Sequence, residues 1–127
     1  MANPNIVNVS AIYGNTSTTL LSTTATPFAT ALISNASGSG KVYKVNSIVV
    51  ANVNGTAAAD ITINIYSAAS LGGTATAIAS TISVPADATL IVTDKNSTFY
   101  LLEDKSVGAV AGTANALVVT CSWEEIN

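Results

Sequence analysis

From Val42 to Val53 apolar residues recur at alternate positions: Tyr43, Val45, Val49, Ala51 and Val53 form one set, and Lys44, Asn46 and Asn52 mark the other. A period of two is the signature of a strand with one buried face. Asn54-Gly55 follows at once, a dipeptide that readily takes the positive φ values of a tight turn. Asp60 to Tyr66 then alternates again, with Ile61, Ile63 and Ile65 expected inward and Asp60, Thr62 and Asn64 outward. These two segments are expected to pair as a hairpin.

Further strands are expected over Ala77 to Val84, with Ile78, Ile82 and Val84 on one face and Pro85 ending the run, then over Thr89 to Thr93, Thr98 to Leu102 and Val107 to Ala111. A final strand carries Leu117, Val119, Cys121 and Trp123 against Val118, Thr120 and Ser122. Segments 5–13 and 28–34 complete the set, while Thr16 to Thr26 and Ser37-Gly38-Ser39-Gly40 read as loops. The expectation is an all-β, single-domain β-sandwich of about eight strands, jelly-roll-like or Ig-like. Residues 1–41 form an N-terminal arm and the first strands, packed on or extending from the domain, and 42–127 form the core of the sandwich.

Charge changes the picture. The chain of 127 residues has four Lys, no Arg, no His and seven acidic residues, so charged groups make up 9% of it, against about a quarter in ordinary globular chains. A hydrophobic content of 49% still requires a folded core. With no basic field to neutralise phosphates, nucleic acid is not an expected partner. Apolar runs such as Ile48 to Ala51 end far short of the roughly 20 residues a helix needs to cross a bilayer, so no membrane is expected either. Met1-Ala2-Asn3-Pro4 lacks the basic segment and apolar stretch of a secretory signal, and the single Cys121 forms no internal disulfide. Both suit synthesis in a cytoplasm, and Cys121 suits a small buried hydrophobe.

Candidate chemistry is sparse. Gly38-Ser39-Gly40-Lys41 resembles part of a phosphate loop, but Asn35 and Val42 stand where that motif needs Gly and Ser or Thr, and a strand follows where a helix is required. The absence of His removes the Ser-His-Asp and Cys-His arrangements and the main nitrogen ligand of zinc. Glu103-Asp104 and Glu124-Glu125 are adjacent pairs, which a strand sends to opposite faces instead of across a cleft. Asp94, Asn96, Glu103 and Asp104 match no calcium-loop spacing. Trp123, Tyr43, Tyr66, Tyr100 and Phe99 suit core packing better than a sugar platform, and Tyr13 suits pinning the first strand. The Asn-x-Ser/Thr sites at Asn8, Asn15, Asn35, Asn54 and Asn96 accompany no secretory signal. No catalytic, cofactor-binding or metal-binding residue is assigned, no cofactor is expected, and the chain is read as no enzyme.

The run Val42 to Thr56 resembles a segment of small tailed-bacteriophage virion structural proteins, and three later pieces resemble theirs in the same order: Ser83 to Leu90, Tyr100 to Ser106 and Cys121 to Ile126. The resemblance covers about residues 42–126 and implies a compact β-sandwich on a phage particle, without catalytic residues. The resulting expectation is a capsid decoration or cement protein on the major capsid lattice of a virion. The alternative is a tail, collar or fibre component that binds host glycans. Partners would be the major capsid protein or other virion proteins, with a homo-oligomer left open.

Overall fold

The computed structural model describes residues 4–127; residues 1–3 of the expected arm lie outside the described residues. Among the described residues there are nine strands and no helix: β1 (Ile12–Leu20), β2 (Ile33–Asn35), β3 (Val42–Asn52), β4 (Ala59–Ala68), β5 (Gly72–Val84), β6 (Thr89–Thr93), β7 (Phe99–Leu101), β8 (Lys105–Ala111) and β9 (Leu117–Ile126). They form two antiparallel sheets. One runs β1-β9-β3-β6, with β7 also pairing β3, and the other runs β2-β8-β4-β5.

The pairing follows a single rule: β1 pairs β9, β2 pairs β8, β3 pairs β6 and β7, and β4 pairs β5. The chain is one long antiparallel ribbon folded across itself, and the β3–β9 and β4–β8 ladders close the roll. This is the order of a jelly roll with its sixth strand broken into β6 and β7. An Ig-like order would pair the first strand with the second.

The core lies between the sheets. Val45, Ile48, Val50, Val119 and Cys121 from one sheet and Ile61, Ile63, Val107 and Ala109 from the other are fully buried. Leu21, Phe28, Leu32 and Ile33 from the N-terminal third belong to the same cluster. At about 1.5–3 kcal/mol per fully buried aliphatic side chain, those contributions tie residues 21–33 into the domain.

Several sequence expectations are corrected. The segments flanking Asn54-Gly55 do not pair: β3 and β4 lie in different sheets, so this turn is a crossover. Its geometry is local, with Asn54 Oδ1 accepting from the Thr56 N–H and Asn52 Oδ1 from the Asn54 N–H. The real hairpin is β4–β5, closed at Ser70 and Leu71, whose φ values of 55° and 63° are those of a type I′ turn. The inward phase of β3 also switches. A bulge between Val45 and Ser47 moves the buried set from Tyr43 and Val45 to Ile48, Val50 and Asn52, leaving Val49, Ala51 and Val53 outside. In β5 Val84 is buried, and Ile82, in unbroken register with it, shares its face but is 40% exposed on this edge strand. Register shifts beyond Ile61 put Ala79 in the buried position and leave Ile78 42% exposed. The first strand runs over 12–20, through Thr-rich sequence expected to be loop, and β2 is a remnant of the strand expected over 28–34.

Candidate docking face

The β1-β9-β3-β6 sheet has one face on the core and one facing out. Register alignment builds the outer face row by row: Thr16–Ser122–Ser47, then Thr18–Thr120–Val49–Ile91, then Leu20–Val118–Ala51–Thr89. Every one of these side chains is at least partly exposed, and none carries charge. The field is bounded on one side by Lys44 and Glu124, opposite each other in register, with the bulged Asn46 donating to Glu124 Oε1 at 3.4 Å. Beyond that boundary Val42 and Ile126, also on the outer face, are 3% and 5% exposed. There the N-terminal segment folds back: Pro4 and Ile6 line an apolar recess with Val42, Tyr100 and Leu102, and the Ser10 and Ala11 N–H groups donate to the Asn127 carbonyl.

The opposite sheet covers part of its own outer face. Leu71 at the tip of the β4–β5 turn lies over Gly108, where a Cβ would meet Leu71 Cδ2 at 2.5 Å and Tyr66 Cε2 at 2.9 Å. The turn is held by backbone donors: Ala69 N–H to Asp104 Oδ1 at 3.1 Å, Ser70 N–H to Ser34 Oγ at 2.9 Å, and Leu71 N–H to Ser106 Oγ at 2.9 Å. Ser106 Oγ donates in turn to the Ala68 carbonyl. Tyr66 is 4% exposed as a result.

The residues singled out for chemistry take structural positions. Gly38 and Gly40 have φ values of 74° and 67° in the turn between β2 and β3, and Lys41 runs straight into β3. Ser39 Oγ donates to Asn35 Oδ1 at 2.6 Å and accepts from the Lys41 N–H. Asn35, fully buried, donates to the Lys41 and Leu101 carbonyls. Lys41 Nζ lies 3.5 Å from Glu125 Oε2, while Glu124 faces out on the other side of β9. The same Glu125, with burial as the larger cause, pushes the Tyr43 hydroxyl up to about 12. Asp94 and Asp104 are not brought together: Asp94 Oδ1 caps its own turn by accepting from the Asn96 N–H, and Asp104 serves the β4–β5 turn. Glu103 is buried at 6% exposure. Among the described residues no group of three or more Cys, Asp or Glu is placed to hold a metal ion.

The aromatics do not converge on one surface. Tyr43 and Tyr66 are buried, and Phe99 and Trp123 pack against the core, with Trp123 Nε1 buried and unpaired. Tyr13 and Tyr100 are exposed but stand on strands at opposite edges of the sheet, with β9 and β3 between them. Cys121 is buried between strands, and burial pushes its thiol up to about 12. Sequence reasoning missed two of the buried amides, Asn52 and Asn35, that clamp backbone carbonyls. Asn52, assigned outward, points in and donates from Nδ2 to the Ala57 and Val84 carbonyls at 3.0 and 2.9 Å. Asn35 had registered only in a glycosylation sequon and as a mismatch to the phosphate-loop motif. No protein-family model matches the chain, and no curated protein matches it.

Proposed function

We propose that this chain is a non-enzymatic structural protein of a tailed-phage virion, a decoration or cement subunit that docks on the major capsid lattice. The observation that carries the reading is the uncharged outer field of the β1-β9-β3-β6 sheet, built of hydroxyls and methyls on a rigid ladder. Hydroxyls and methyls lose far less hydration on burial than ammonium or carboxylate groups do, so such a face suits contact with another protein. A standard interface removes about 800 Å² per partner, and a lattice repeats it many times. The resemblance of residues 42–126 to virion structural proteins supports the same reading.

Co-sedimentation with capsids of the encoding phage that lack the chain tests this. Wild-type protein pellets with them, whereas Val49→Lys and Thr120→Lys, each placing a charge in the middle of the face, remain in the supernatant while folded. Undiminished pelleting of both variants removes this face from the account. In the tail, collar or fibre alternative the same face meets a tail protein, and wild-type protein then labels tails instead of heads.

A further inference from the structure

Three of the four sheet edges are protected against further strand pairing. β2 is three residues long, and the β6/β7 edge is broken by the turn at Asp94 to Ser97. β5 is interrupted by register shifts and by Thr81, a β-branched residue held at φ 48°. Shortness, breaks and bulges are the ordinary ways in which sheets avoid edge-to-edge association. β1 has none of them. Its nine residues pair β9 without a register shift, and it contains no Pro and no charged residue.

The direction of its free groups follows from the ladder. The Leu21 N–H donates to the Leu117 carbonyl, and Ala11 exchanges hydrogen bonds with Asn127, so odd-numbered residues address β9. By alternation the N–H and C=O of Ile12, Gly14, Thr16, Thr18 and Leu20 point to the open edge. β1 is the terminal strand of its sheet, and among the described residues no strand pairs with it on this side.

We propose that a second copy of this chain pairs there, β1 to β1 and antiparallel, about a two-fold axis through Thr16. In this register Thr16 faces Thr16, Gly14 faces Thr18 and Ile12 faces Leu20, so all outward backbone groups of both copies are satisfied together. The strand is chemically self-complementary about that point. Apolar ends meet apolar ends, Tyr13 meets Thr19, Asn15 meets Ser17, and no like charges are opposed. Residues opposite each other in an antiparallel ladder share a face, so the two uncharged outer fields become one continuous surface. The dimer does not rest on the capsid reading.

Sedimentation equilibrium on the purified chain of 127 residues tests it. Wild type is expected at twice the 12.7 kDa chain mass. Thr16→Lys and Thr16→Glu, each setting like charges face to face on the axis, are expected at the monomer mass with an unchanged circular dichroism spectrum. Mixing the two variants restores a dimer, because the opposite charges then meet. A monomeric wild type overturns the proposal, as does a Thr16→Lys protein that remains dimeric or a mixture that fails to recover the dimer mass.

Discussion

Two buried asparagines hold the ends of the roll. Asn52 ties the crossover loop to the end of β5 through the Ala57 and Val84 carbonyls, and its Oδ1 fixes the turn that follows. Replacing it with Ala removes the side-chain partner of two carbonyls, Ala57 and the buried Val84, and of the Asn54 N–H, at about 1–3 kcal/mol for each such group left unsatisfied in a buried place. Asn52→Ala should therefore lower the urea midpoint clearly, with an unchanged m-value. A midpoint equal to wild type would show the clamp to be dispensable. Cys121 and Tyr43 give the chain a pH response. Their ordinary values of 9.0 and 10.0 are both pushed up to about 12 in the folded chain, so the unfolded chain loses these protons first as pH rises. The stability they contribute is complete below about pH 9 and is lost progressively towards about pH 12. Thermal melts should be flat in this respect near neutrality and fall above pH 9, and Cys121→Ala should show a shallower fall than wild type. Equal slopes would contradict the assignment to Cys121.

Among the elements, strands were legible wherever alternation was unbroken, as in β6, β9 and most of β4. Faces were lost at bulges. Asn46 adds one residue to β3, and beyond it a strict period of two assigns Val49 and Ala51 to the core and Asn52 to solvent, each the reverse of what occurs. β1 was illegible for a different reason: Thr16 to Thr19 are hydroxyl residues on both faces of an edge strand, so no apolar period exists to read. Asn54-Gly55 signalled a turn correctly but not its partners, since an Asn-capped turn serves a crossover as well as a hairpin. The real hairpin used Ser70 and Leu71, residues that do not advertise positive φ, and it is held there by Ser34 on β2, Ser106 on β8 and Asp104 in the turn between β7 and β8. Leu71 over Gly108 is the packing consequence. Gly108→Ala forces that side chain and Tyr66 aside, and overpacking of this kind costs about 1–3 kcal/mol. The expected result is a lower melting temperature and faster amide exchange in residues 69–73; wild-type values in both would contradict the contact.

At the scale of the whole molecule, the scarcity of charge visible in the composition has a location. Lys44 and Glu124 bound the outer face of one sheet, Asp94 and Lys95 sit in the β6–β7 turn, and Asp104 is spent on the β4–β5 turn. What remains on the β1-β9-β3-β6 face is hydroxyl and methyl. The composition showed the scarcity of charge, but the position of this surface depended on the bulge in β3 and on the unrecognised β1, so it could not be drawn beforehand. The jelly-roll order gives it rigidity, because β9 and β3 are paired along both edges and cannot shift without breaking two ladders. The most direct test of the account is a cryo-EM reconstruction of the intact particle that encodes this chain. Density for the roll is expected on the outside of the head, with Thr18, Val49 and Thr120 against capsid subunits. A head without this density, or a roll seated by another surface with those residues in solvent, would contradict it.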